Sequence, residues 1–116
     1  MPVPIHEAKA ELFRTLSHPV RIRVLELLSE RDHAVHEILK VVDIEPSTLS
    51  QQLAVLRRAG LIRQQRIGGE VVYSLLVAEL RDVLVAARAM LSSQVADAVL
   101  LQAALEDEPL VPRSDS

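Results

Sequence analysis

Five short polar side chains, Ser47, Thr48, Ser50, Gln51 and Gln52, crowd the start of one segment of this sequence. Their hydroxyls and amides donate and accept hydrogen bonds, which is the chemistry that base edges and phosphate oxygens of a DNA major groove require. Arg57 and Arg58 follow, with Gly60 behind them. Within the same segment Leu49, Leu53 and Leu56 recur at helical spacing, so a helix here has one polar and one apolar side. An ordinary surface helix carries the same pattern. The flanking sequence must separate the two readings.

Charge is distributed to match a nucleic-acid partner. The 116 residues carry a net charge of −3, which by itself argues against one. Residues 1–45 hold six basic and eight acidic side chains, a net −2. Residues 46–73 hold four basic (Arg57, Arg58, Arg63, Arg66) and one acidic (Glu70), a net +3. Residues 74–116 hold three basic and seven acidic, a net −4. A positive middle between negative ends is the footprint a localised DNA contact leaves.

The elements that must position these residues read as follows. Residues 7–16 form an amphipathic helix with Ala8, Leu12, Phe13 and Leu16 on one side. Ser17-His18-Pro19 breaks it, with His18 at the cap, and Pro19 fits the first position of a second helix running to about Glu30. Arg31-Asp32-His33 is a polar turn, and residues 35–42 make a short third helix. Asp43-Ile44-Glu45 joins it to the helix opened by Pro46, a helix-turn-helix arrangement. Asp43 takes a place often held by Gly, and Asp tolerates a left-handed backbone better than most residues.

Strand-like runs at Leu61–Arg66 and Val71–Leu75 flank Gly68-Gly69, a hairpin signal in which Tyr73 belongs to hairpin packing. From Val77 to about Leu105 the chain is helical, with Leu80, Leu84, Ala87, Leu91, Val95 and Ala98 recurring at steps of three and four. The apolar area is wider than a small domain covers, so it predicts a homodimer seam shared with Leu12 of the first helix. The fold class expected is mainly α with a small β-hairpin (α+β): a winged helix-turn-helix in the order α-α-α-α-β-β-α, joined as a homodimer through its first and last helices.

One domain is expected over residues 1–105, followed by an acidic, Pro-interrupted, disordered tail at 106–116 in which Leu110-Val111-Pro112-Arg113 looks like a protease-cleavage remnant. Aliphatic residues must build the core, since apolar residues make up 49% and aromatics only 2%. No Cys is present, which excludes disulfides and thiolate ligands. No signal peptide and no uncharged apolar run near the roughly 18 residues of a membrane span are found, so a cytoplasmic protein without a membrane partner is expected.

Two motifs and the wing together resemble the ArsR family of bacterial winged-helix repressors. Leu16-Ser17-His18-Pro19-Val20-Arg21-Ile22-Arg23-Val24-Leu25 is close to that family's Leu-x-x-Pro-x-Arg-x-x-Ile-Leu segment. The second match is Ser47 to Ile62, and the third is the Arg66–Tyr73 wing. The resemblance spans roughly residues 10–100. It implies a homodimeric repressor that binds double-stranded DNA at an imperfect palindrome and is released by a signal. Two recognition helices would then enter successive major grooves roughly 34 Å apart. Gln51 and Gln52 suit base reading, because a Gln amide pairs with adenine's N6 and N7 edge; the family often has His where this chain has Gln52. Arg63, Arg66 and the tip Gly68-Gly69 would reach phosphates or the minor groove. Arg57 fits either a DNA contact or an intramolecular cap or ion pair.

Many members of the family sense metals, but the familiar ligand sets are missing here. The third-helix pair would fall on Ala34 and His36, and no His follows His36 for the long-helix site. No cofactor is expected. A nonstandard site using His33 and His36 at i, i+3 is the remaining metal alternative. No Ser/His/Asp grouping or phosphate loop suggests an enzyme. A winged helix serving only as a protein-interaction module is the other alternative.

Overall fold

Punctuation by Pro and Gly sets most of the element boundaries. The computed structural model describes residues 3–107. In chain order the elements are α1 (Ile5–Leu16), α2 (Pro19–Glu30), β1 (His33–Ala34), α3 (Val35–Val41), α4 (Pro46–Arg58), β2 (Ile62–Ile67), β3 (Glu70–Leu75) and α5 (Glu79–Asp107). They divide into two units, Met1–Asp82 and Val83–Ser116.

In the first unit, α2 begins where Pro19 occupies the first turn and the His18 ring Nδ1 accepts the Val20 N–H at 3.2 Å. The helix buries Val24, Leu25, Leu27 and Leu28. At the start of α3 the Glu37 carboxylate reaches back to accept the Ala34 N–H at 2.8 Å. That backbone bond, with Arg31 beside it, holds the Glu37 pKa below the ordinary glutamate value against a smaller opposing effect of burial. The turn after α3 uses no left-handed residue: among the described residues only glycines have positive φ, so Asp43 does not take the conformation expected of it.

Recognition-helix candidate α4 buries Leu49, Leu53 and Leu56, as its spacing requires. Its end is a Schellman motif. Gly60 has φ 78°, its N–H bonds to the Arg57 carbonyl at 3.0 Å, and the Leu61 N–H reaches the Leu56 carbonyl at 3.1 Å. Leu61 and Leu56 are both buried, which supplies the apolar contact of the motif. A Cβ at Gly60 would meet nothing within 4 Å, so only the backbone conformation demands Gly. Gly60→Ala is therefore expected to destabilise the fold by about 1–2 kcal/mol. A urea midpoint equal to that of the parent would show the left-handed cap to be unimportant.

Three strands make an antiparallel sheet in the order β1-β3-β2. β2 and β3 are joined by the two-residue turn Gly68-Gly69, with φ 57° and 81° and with Ile67 paired to Glu70. Positive φ at both positions gives the turn the twist of its strands. β1 is a correction to the sequence reading, which made His33 part of a polar turn. His33 pairs with Tyr73 and Ala34 with Val72, and His33 is 4% exposed. A further correction concerns Leu80, assigned to a dimer seam but only 2% exposed within its own chain. It is a core residue of the first unit. Of the residues placed on one side of α1, Leu16 is buried and Phe13 is exposed.

In the second unit α5 continues to Asp107, so residues 106 and 107 of the expected tail are helical; the rest, 108–116, lies outside the described residues. Residues Glu79–Glu106 form a helix that by length and composition is long and apolar enough to cross a membrane. Arg88 and Asp97 interrupt its apolar residues, so it holds no uncharged run of the length a sequence scan seeks.

Candidate nucleic-acid interface

The outer side of α4 carries the polar cluster that its sequence promised. Ser47, Ser50 and Gln51 are exposed, while Thr48 and Gln52 are half-buried. Glu45 at the N-cap makes no side-chain capping bond, so the first N–H groups of α4 are left to partners outside the helix. Gln52 differs from its neighbours. Its Oε1 accepts a hydrogen bond from Arg21 Nε at 2.8 Å, and Arg21 Nη1 also donates to the Thr15 carbonyl at 3.0 Å. The amide is thus held from α2, a pairing that the adjacent Gln51 lacks.

Arg57, in the last turn of α4, donates to Gln64 on β2. The Tyr73 hydroxyl donates to the same Gln64 oxygen at 3.2 Å, and Tyr73 is buried, in keeping with its packing role. Arg57 thus makes an intramolecular hydrogen bond, but neither the cap nor the ion pair considered for it, since its partner is a side-chain amide. This network ties α4 to the hairpin. It fixes the direction of the Arg57 stem without removing its charge.

The pleat of β2 separates the two arginines assigned together to phosphates. Residues two apart share a face, so Arg66 lies on the side of Gln64 and hence of Arg57, whereas Arg63 points to the opposite face. Both are exposed. Ile67, Gly68 and Gly69 form an exposed tip beyond them. At the base of that tip His36 Nε2 donates to Glu70 Oε1 at 2.7 Å, linking α3 to the hairpin.

The histidine pair does not form the shared face expected of positions i and i+3. His33 is buried, and its Nδ1 lies 2.8 Å from the Arg31 carbonyl, which makes Nδ1–H the donor. His36 is exposed and committed to Glu70. Among the described residues no group of three or more His, Cys, Asp or Glu stands together. Arg21, Gln64 and Glu70 were not singled out as site residues from sequence. Arg21 stands inside a quoted motif, but nothing in the local pattern couples it to a residue 31 positions away.

Known proteins share both the sequence and the architecture. Residues 18–64 match the family described as bacterial regulatory protein, arsR family. An uncharacterized HTH-type transcriptional regulator of Mycobacterium tuberculosis is 48% identical over 105 residues, covering 90% of each chain. The crystal structure of that regulator superposes with a TM-score of 0.75 at 46% identity, covering 84% of this chain and 99% of that one. The transcriptional repressor BigR from Xylella fastidiosa gives a TM-score of 0.69 at 34% identity over 73% of this chain and 87% of its own. A homodimeric winged helix-turn-helix DNA-binding domain from Mycobacterium bovis gives 0.69 at 20% identity over 78% and 84%, a likeness of fold alone.

Proposed function

The chain belongs to the ArsR family of bacterial regulatory proteins, and from that membership we propose that it is a sequence-specific DNA-binding transcriptional repressor, cytoplasmic, acting as a homodimer on an imperfect palindrome. The observation that carries this reading is α4: three leucines buried on one side, and Ser47, Ser50 and Gln51 exposed on the other. Such a helix is anchored by its core and presents hydrogen-bonding groups outward from its first two turns, as groove-reading helices do. Thr48 and the anchored Gln52 flank that surface. Arg66, Arg57, Gly68 and Gly69 lie on or beside the face of the hairpin that adjoins α4, and they are assigned to the phosphate backbone or minor groove. Arg63, on the other face, is the weaker member of the set.

Dimerisation is assigned chiefly to α5. Leu91 and Val95 are 62% and 63% exposed in the single chain, and Met90, Val99, Leu100 and Leu101 are similarly uncovered. Exposed apolar residues gathered along one helix mark an association site, and Leu91 and Val95 share one side of it. Leu84, Ala87 and Ala98 continue its repeat, and Leu12 on α1 stands half-buried as the second contributor. A bilayer is the less favourable partner for α5, because Asp97 near its middle carries an insertion cost of about 2.5–3.5 kcal/mol.

Salt titration tests the reading. DNA upstream of the protein's own coding sequence is expected to be retained and footprinted, with log affinity falling against log salt at a slope near −0.9 per phosphate contact. Several contacts per protomer should give a total slope steeper than about −4 for the dimer. Failure to retain any duplex at low salt would return the winged helix to the role of a protein-interaction module.

A further inference from the structure

Two glutamines stand side by side on the exposed start of α4, yet the structure treats them differently. Gln51 is exposed and forms no side-chain hydrogen bond among the described residues, so its amide turns freely. Gln52 is half-buried, with Arg21 Nε 2.8 Å from its Oε1. A guanidinium has donors and no acceptor, so the oxygen end of the amide is the end that faces it. Arg21 is itself fixed by a second bond to the Thr15 carbonyl at 3.0 Å, which prevents it from following a rotating amide. The remaining Gln52 group is its NH2. Among the described residues it has no partner, and it is not a buried orphan, since Ser74 Oγ is the one buried unpartnered side-chain atom there.

We infer that Arg21 sets the hydrogen-bonding polarity of Gln52, so that Gln52 meets DNA as a donor and selects a base with acceptors, guanine or thymine, in place of adenine. This rests on the DNA-reading function proposed above and names the specificity of one of its residues. Adenine presents an acceptor at N7 beside a donor at N6, and the bidentate contact by which a Gln reads it needs oxygen and nitrogen both available. Here one lone pair of the oxygen is engaged by a cation, and the same bond fixes which way the oxygen points. A charge-assisted bond also withdraws electron density from that oxygen, which weakens it as an acceptor and strengthens the N–H groups as donors. Guanine offers O6 and N7 and thymine offers O4 to the NH2 end, whereas adenine offers it N7 alone, beside an N6 amino group whose hydrogens oppose it. Arg21 is in this account a positioning residue; it acts on the base through Gln52. The reading corrects the adenine preference that residue type alone assigns to Gln52, and it leaves that preference with Gln51.

Selection from duplexes with a randomised half-site tests this, using the full chain and two variants. The wild type is expected to enrich guanine or thymine at one position per half-site. Gln52→Glu keeps an oxygen facing Arg21, so the fold is retained, and replaces the NH2 donor by a second acceptor. It should move the preference at that position alone to cytosine or adenine, whose amino groups donate, by on the order of tenfold. Arg21→Met frees the amide and should bring adenine to within a few-fold of the preferred base at the same position. If Gln52→Glu lowers affinity for every sequence equally, Gln52 contacts phosphate and the inference is overturned. It is overturned equally if the wild type enriches adenine at the position that Gln52→Glu alters. A wild-type pool that stays random overturns the DNA-reading function itself, and is distinguishable from both.

Discussion

On the proposed α5 dimer, glutamate at both Leu91 and Val95 is expected to yield a folded monomer that binds the proposed palindrome at least 100-fold more weakly than the parent. The two positions lie one turn apart on α5 and are exposed in the single chain, so neither change removes a contact from the protomer's own core. Glutamate is a good helix former, and α5 should keep its helicity. At a symmetric seam, however, each substitution appears twice. Four carboxylates would have to leave water where four apolar side chains had been buried, each apolar burial having contributed about 1.5–3 kcal/mol. Loss of DNA affinity follows from geometry. With two recognition helices linked, binding of the second half-site is intramolecular, an advantage of roughly 10²–10⁴ that a monomer forfeits. Sedimentation would report the mass and gel retardation the affinity. A variant that stays dimeric, or a monomer that binds the palindrome undiminished, would move the seam elsewhere or remove the need for one.

Much of the architecture follows from residues that leave the chain few options. Pro19 and Pro46 each open a helix where their missing N–H costs nothing, and Gly60 closes α4 in the one conformation it adopts more readily than any other residue. Gly68-Gly69 set the hairpin turn and its register in the same way. What escaped was non-local. β1 is two residues long and exists only because β3 lies beside it, so no periodicity announces it. Leu80 and Leu91 belong to one helical repeat, and only the three-dimensional structure separates the core residue from the exposed one. The site divides along the same line. The polar side of α4 was legible from side-chain type and spacing. The anchoring of Gln52 by Arg21 and of Arg57 through Gln64 was not, since each bond crosses between elements whose approach local pattern does not encode.

Leu53→Ala should reveal how strongly DNA reading depends on the core beneath it. Leu53 is 2% exposed and sits directly behind the polar cluster, between Gln52 and Ala54 in sequence. Truncation of a buried leucine removes its transfer free energy and leaves a cavity, together about 2–5 kcal/mol. Against a total stability of roughly 5–15 kcal/mol for a domain of this kind, that is a large share. The midpoint of thermal unfolding should fall by at least about 10 °C at equal protein concentration. Concentration must be held fixed because the proposed dimer would stabilise the native state by mass action. Affinity for the operator, measured well below the new midpoint, should fall far less, since the hydroxyls and amides on the outer side of α4 are unchanged. If binding is lost at temperatures where the variant remains fully folded, Leu53 does more than support the helix: its packing would then set the angle at which Ser50 and Gln51 enter the groove, and shape specificity as well as stability.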